Sequence, residues 1–277
     1  MRTLIVSAIS GVLFFFFPLC GVHSSKIYIV PVVSTPEPGY VKNTIQFPES
    51  GQILDGDEMR GQIELLGFPL GVDTMQPRSK VIYNDPLGQS LHIFIDNEPY
   101  FSVNEALTDA LQDFQDYFVQ TVTFTASISS LSPGMHVLRA LPVFSFNESL
   151  KGRTVLSTRI FYVREKKENF SFDPNKPFLT YNEPQGEYDY IPESPEPILL
   201  DFYLSNCKLS QDGFKLRISI DDEVIDTITS WQPYYIYGLK PGTHKIRTEL
   251  LNPLNQAVQG SFNDVTRTIE LVEHRQR

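Results

Sequence analysis

The chain has 277 residues, a formal net charge of −10 at pH 7 and 41% hydrophobic residues. This acidic balance argues against nucleic acid as a partner, because nucleic-acid binders cluster lysine and arginine to neutralise phosphates. It also disfavours docking on an anionic membrane surface. About 250 residues remain after an N-terminal leader, enough for two self-sufficient cores.

Residues 1–25 have the pattern of an export signal. Arg2 precedes an almost unbroken apolar run from Leu4 to Leu19, shorter than the run of about 20 residues that spans a membrane. We expect cleavage near Ser24 or Ser25 and a mature protein in the periplasm, the outer envelope or the extracellular space. An uncleaved N-terminal anchor is the alternative, and we expect membrane attachment only through this signal, anchor or a lipid.

The two cysteines, Cys20 and Cys207, bear on anchoring and on disulfides. Cys20 ends the apolar run, where bacterial lipoproteins are lipidated, so it is a possible lipidation site. If Cys20 leaves with the signal, Cys207 is the only cysteine in the mature chain. No intramolecular disulfide could then form.

Two sequence phrases occur twice, in the same order. Residues 131–139 (LSPGMHVLR) recur 108 positions later as 239–247 (LKPGTHKIR), and residues 91–98 (LHIFIDNE) recur upstream of the second copy as 216–223 (LRISIDDE). Two shared phrases in one order predict two copies of one fold. We expect domains at 44–163 and 178–273, an extended spacer at 26–43 and a charged linker at 164–177.

Both copies contain short runs of β-branched and aromatic residues, bounded by Gly, Pro, Asn or Asp. This pattern predicts antiparallel β-sandwiches. In the first copy the runs are 61–68, 91–95, 121–128 and 136–146. In the second they are 178–181, 198–204, 215–220, 224–228, 234–237, 244–251 and 265–272.

The first copy carries extra sequence between the matching phrases, which are 33 positions apart there and 16 in the second copy. Within the excess, apolar residues at steps of four, three and four predict an amphipathic helix near 104–118. They are Leu107, Leu111, Phe114 and Phe118. Such a helix either covers a sheet edge or faces a partner.

The phrase GLKPGTH at residues 238–244 resembles the turn before the penultimate strand of fibronectin type III and bacterial immunoglobulin-like domains. The resemblance implies an all-β fold of two tandem immunoglobulin-like antiparallel β-sandwiches, the first with the inserted helix. In such a corner, proline presets the turn, glycine takes a positive φ and the aromatic residue bonds back across the turn.

The whole mature chain also resembles a functionally uncharacterised family of exported bacterial proteins. The similarity rests on residues 147–151, Tyr188, 199–206 and 231–235. It implies no catalytic residue.

His136 and His244 occupy equivalent positions in different domains, so we predict corner hydrogen bonds rather than a shared metal site. The acidic turns 96–98 and 221–223 offer oxygen ligands, but too few by themselves for calcium, and whether a loop binds calcium stays open. No catalytic motif is recognisable. We therefore predict no catalytic residue, no cofactor and no metal ligand.

Trp231, the only tryptophan, and Tyr234 are candidates for glycan or partner contact, since exposed aromatic rings stack on sugars. Tyr235 and Tyr237 share one face of their strand, and Tyr234 and Ile236 share the other, so one pair is expected in the core. The function predicted is an exported, envelope-associated, non-catalytic module for protein interaction or structure. A glycan-binding sandwich is the alternative, a hydrolase is a third, and the partner is an unknown envelope protein or glycan.

Overall fold

The structure is a computed structural model that describes residues 26–108, 119–192 and 194–273, apart from the side chains of 107 and 108. These residues form eighteen strands and one short 3-10 helix, Pro77–Lys80. The described part of the chain contains no α-helix. It also holds no helix long and apolar enough to cross a membrane.

The strands of the N-terminal part are β1 Tyr28–Pro31, β2 Lys42–Phe47, β3 Ile53–Leu54, β4 Glu58–Leu66, β5 Ser90–Ile95, β6 Phe101–Val103, β7 Leu107–Thr108, β8 Val119–Ser127, β9 Gly134–Val143 and β10 Ser157–Val163. The C-terminal part contains β11 Phe178–Glu183, β12 Gly186–Tyr190, β13 Ile198–Ser205, β14 Lys215–Ile220, β15 Glu223–Ile228, β16 Tyr234–Tyr237, β17 Gly242–Leu251 and β18 Asp264–Glu273.

The first unit consists of a four-stranded sheet, β2-β4-β8-β7, and a five-stranded sheet, β3-β10-β9-β5-β6. Buried and exposed residues alternate along β4, as expected for a strand with one face on the core. Ile63 from the first sheet and Ile93 from the second belong to one apolar core, so the sheets pack face to face.

The second unit has the same strand order in its five-stranded sheet, β12-β18-β17-β14-β15, with a parallel pair at the same edge. Its four-stranded sheet is β1-β16-β13-β11. In the first unit, the two sheets have the strand order of an immunoglobulin-type sandwich. In the second unit the edge strand beside β16 is β1, which comes from the N-terminal end of the chain.

The spacer expected at 26–43 therefore contains a strand of the second unit, and β2 of the first unit begins at Lys42. The predicted helix is not supported. Residues 104–106 are irregular, and Leu107 begins β7, which pairs with β8 at Thr121. Leu107 and Thr108 extend along the edge of β8 and pair with its backbone. Leu111, Phe114, Phe118, Cys20 and the signal at 1–25 lie outside the described residues.

The predicted histidine corners are confirmed in both units. In the first, His136 Nδ1 lies 2.6 Å from an Asp96 carboxylate oxygen, and Nε2 lies 2.8 Å from the Ser132 carbonyl oxygen. His244 makes the same pair of bonds, with Asp221 as its carboxylate. Burial lowers the pKa of His136, but the hydrogen bonds from its ring to Asp96 and Ser132 outweigh that effect, so the pKa is raised.

Candidate functional site at the junction of the two units

A cleft of about 520 Å³ lies where the two units meet. The first unit contributes residues 82–84 and the loop residues Phe146 and Asn147, and the second contributes residues from β11, β12 and the segment 196–199. The walls therefore come from both units, and the shape of the cleft depends on how firmly the units are held together.

The cleft is acidic. Glu187, Asp189 and Glu196 are exposed carboxylates of its lining, Glu183 is a buried one, and no lysine or arginine is among the described residues that line it. The Tyr83 ring, 55% exposed, stands beside them. Carboxylate and amide oxygens here can accept hydrogen bonds from hydroxyl, ammonium or guanidinium groups, and the ring offers a face for stacking.

Glu183 forms the buried wall of the cleft. Its Oε2 accepts hydrogen bonds from the Tyr188 hydroxyl at 2.5 Å and the Gln185 backbone N–H at 3.2 Å, and its Oε1 accepts one from the Tyr100 hydroxyl. Burial raises the pKa of Glu183 to about 7, against the lowering effect of these donors. This carboxyl group therefore changes its ionisation near neutral pH.

Behind Glu183, polar groups of the two units are bonded in the interior. The fully buried His92 stacks on Tyr100 with ring centroids 3.5 Å apart, and its Nδ1 lies 2.7 Å from Asn182 Oδ1 of the second unit. Asn182 donates in turn to Asp201, 2.9 Å away, which forms an ion pair with Lys151 of the first unit. Burial lowers the pKa of His92 to about 3, so the ring is neutral.

A second tie is the segment between β1 and β2, which we call the strap (residues 32–41). Thr35 donates from its amide at 2.8 Å and from its hydroxyl at 2.6 Å to the buried carboxylate of Glu148. Arg78 forms an ion pair with the same carboxylate and donates to the Val33 carbonyl. The strap is thus fixed to the first unit while β1 is fixed to the second.

Arg139 is a third tie, and it is fully buried. Its guanidinium donates to the Leu179 carbonyl at 3.1 Å and the Thr180 hydroxyl at 2.9 Å, both in the second unit, and lies 4.1 Å from the centre of the Phe262 ring. Burial lowers its pKa to about 9. Sequence reasoning missed Arg139. Its repeat counterpart, Arg247, is an exposed partner of Asp264, so the repeat does not distinguish a buried arginine from an exposed one.

The sequence candidates Trp231 and Tyr234 do not form an exposed aromatic platform. Tyr234 is 3% exposed in the second core, and its hydroxyl donates to the Ser230 carbonyl at 2.9 Å. Trp231 is half-buried, with Nε1 bonded to the Phe202 carbonyl at 3.0 Å. The expectation assumed one buried face on β16, whereas Tyr235, on the opposite face, packs with the first core.

No protein-family model and no curated protein matches the sequence. Among solved structures, the chain is similar to the fibronectin(III)-like modules of CbhA from Clostridium thermocellum, with 14% identity, a TM-score of 0.29, and coverage of 85% of this chain and 98% of that one. The CARDB domain of PF1109 from Pyrococcus furiosus gives 12% identity and a TM-score of 0.26, covering 47% of this chain and 97% of that one. SGBP-B from Bacteroides ovatus, solved with a mixed-linkage heptasaccharide, gives 7% identity and a TM-score of 0.20, covering 83% of this chain and 46% of that one.

Proposed function

We propose that the protein is an exported, non-catalytic interaction module of the cell envelope, built from two tandem immunoglobulin-like domains. The two domains act as one rigid pair and offer the junction cleft to a protein partner. The observation that carries this proposal is the threefold tie between the units through β1 with its strap, the His92–Asn182–Asp201 chain and Arg139. A binding surface made of two domains needs such ties, because otherwise the cleft would change shape as the domains move.

The charge of the cleft favours a partner segment that carries lysine or arginine. Three exposed carboxylates and the buried Glu183 face a cleft whose described lining has no basic side chain. An approaching cation would gain charge-assisted hydrogen bonds there. Complementary charge sets the rate and selectivity of such an encounter more than its final affinity.

A photo-crosslinking amino acid at position 83 tests this proposal in intact envelopes. Leu254, 75% exposed on the second unit, is the control position. We expect a discrete protein adduct from position 83 only, lost in the Glu187→Gln, Glu196→Gln variant. Adducts that are equal at both positions, or unchanged in that variant, would argue against the cleft as the contact surface.

Glycan binding is the second candidate, favoured by the exposed Tyr83 ring beside hydrogen-bond acceptors. Co-sedimentation of residues 26–277 with peptidoglycan and other insoluble glycans tests it, with Tyr83→Ala against the matched Tyr40→Ala, a tyrosine 42% exposed on the strap. Binding that only Tyr83→Ala abolishes would replace a protein by a glycan as the ligand. New reducing ends in the same samples would make the protein a hydrolase.

Export itself is tested by the N-terminus of the native protein. Cleavage after residue 24 or 25 leaves β1 intact, since that strand begins at Tyr28. Mass spectrometry of the envelope fraction should find a first residue at 25 or 26, or a lipid-modified Cys20. A chain that retains Met1 in the soluble cell interior would contradict export.

A further inference from the structure

We propose that the second unit contains a strand-binding site along the edge of β16, and that residues 26–31 of this same chain are its ligand. The site takes an extended segment with apolar side chains at alternate positions, by β-strand addition. This inference goes beyond the interaction module proposed above, because it concerns a site separate from the junction cleft.

The second unit has no strand of its own for this place. In the first unit, β7 lies between β6 and β8 in the chain and pairs with the edge of β8. In the second unit, only residues 229–233 separate β15 from β16, and no strand lies among them. The shorter spacing in the second copy therefore corresponds to an absent edge strand.

Strand β1 occupies that place with an ordinary antiparallel register. Four consecutive pairs join it to β16, from Tyr28 with Tyr237 to Pro31 with Tyr234. The amide of Val32 continues the ladder with a bond of 3.0 Å to the Pro233 carbonyl. These backbone bonds satisfy polar groups that the β16 edge would otherwise expose.

Alternate side chains of the segment lie on opposite faces of the sheet. Ile27 and Ile29 pack against the apolar core of the second unit. Tyr28 points the other way and stacks on Tyr237, with ring centroids 5.2 Å apart and planes 13° from parallel. Alternate apolar side chains entering a core are the recognition pattern of strand addition, in which main-chain bonds give affinity and side-chain pockets give selectivity.

The acceptor is shaped for close approach of this segment. Gly238, directly after β16, leaves space that the backbone of Lys26 fills. The equivalent repeat position in the first unit is Ser130, an exposed turn residue. A glycine is thus present in the copy that receives an added strand and absent from the copy that encodes its own.

The connection between ligand and acceptor can be cut without altering either. Pro38, Gly39 and Tyr40 are exposed, and a Cβ at Gly39 would meet nothing within 4 Å. A specific protease site placed there in the full mature chain, residues 26–277, would release the N-terminal peptide as a separate molecule once the protein has folded.

We expect the cut peptide to co-elute with the folded remainder. A fluorescent synthetic peptide of residues 26–33, which lacks Thr35 and its bonds to the first unit, should replace it when added in excess before refolding from urea. An Ile29→Asp peptide should bind about 100-fold more weakly, because it would place a partly buried carboxylate against an apolar core. The matched control is Val33→Asp, since the Val33 side chain is 87% exposed, and it should bind like the unmodified peptide.

Two results would overturn the proposal. One is equal binding of the Ile29→Asp and Val33→Asp peptides, which would show that alternate apolar side chains are not recognised. The other is loss of the cut peptide while near-ultraviolet circular dichroism stays native and no labelled peptide binds, which would show that β1 is a passive contact. A chain that unfolds on loss of its peptide and refolds when the peptide is added supports the proposal.

Discussion

A Cβ atom at position 238 would lie 2.5 Å from the carbonyl oxygen of Lys26, at the opposite end of the chain. Real Cβ atoms do not approach backbone oxygens this closely, so only glycine allows the two segments to meet as they do. Gly238 also has φ of +85°, which disfavours any side chain there. The N-terminal strand therefore depends on a residue more than two hundred positions away.

Gly238→Ala should weaken the attachment of β1, and Gly186→Ala is its matched control. Gly186 has a similar φ of +79°, but a methyl group added there would meet nothing within 4 Å. Both variants incur about 1 kcal/mol of backbone strain. Gly238→Ala should lose more unfolding free energy in urea and become sensitive to proteolysis within residues 26–31. Equal losses and equal protease resistance would contradict the steric argument.

Tyr234 should act on stability and not directly on ligand binding. Tyr234→Ala empties part of the second core and should cost about 3–5 kcal/mol of unfolding free energy. Tyr234→Phe removes only the hydroxyl, which bonds to the carbonyl and to the hydroxyl of Ser230, and should cost about 1 kcal/mol. Urea unfolding followed by circular dichroism measures both. The exposed Tyr83→Ala should stay within about 0.5 kcal/mol of the wild type, and a neutral Tyr234→Ala would contradict the placement of this ring.

The sequence predicts most strands and both histidine corners, because these depend on local patterns. The alternation of apolar and polar residues along β4, and the Pro-Gly turns at the start of β9 and β17, each determine structure within a few residues. The two copies then share one strand order in their five-stranded sheets. Where two segments far apart in the chain meet, the local pattern does not show which segments pair.

Strand β1 and Arg139 show this limit. The β-branched and aromatic composition of residues 28–31 fits a paired strand and a free extended segment equally well. It therefore does not identify β16 as their partner. Two signals were present in the second copy: its missing edge strand and its glycine at 238. Arg139 and Arg247 share a repeat position, yet only Arg139 is covered by the neighbouring unit, and burial by a neighbour is not encoded locally.

Thr35→Val should loosen the strap. The change removes the hydroxyl that donates to Glu148 at 2.6 Å and leaves that buried carboxylate with fewer donors. We expect a loss of about 1–3 kcal/mol in urea unfolding. Thr243→Val makes the same chemical change at an exposed bond to Glu270 and should cost less than about 0.5 kcal/mol. Indistinguishable losses would show that the strap bond does not stabilise the junction.

Glu183 should make the protein less stable as the pH rises from 4.5 to 7. Its pKa in the folded protein, about 7, lies above its ordinary value of 4.5, so the folded state binds more protons than the unfolded state in this window. Glu183→Gln removes this titration. The difference in unfolding free energy between wild type and variant should therefore change across pH 4.5–7 and level off above it. A constant difference would contradict the buried, proton-holding carboxyl group.

His92 has the opposite sign and should weaken the junction in acid. Burial holds its pKa at about 3, below the ordinary 6.5, so between these values the unfolded state binds the extra proton. The stability that the neutral ring contributes is complete above pH 6.5 and is lost as the pH falls toward 3. We expect His92→Gln to be less stable than the wild type at pH 7. That gap should close by at most about 1.4 kcal/mol per pH unit below pH 6. Urea unfolding at half-unit pH steps measures this gap, and a gap that does not depend on pH would contradict the lowered pKa of the buried ring.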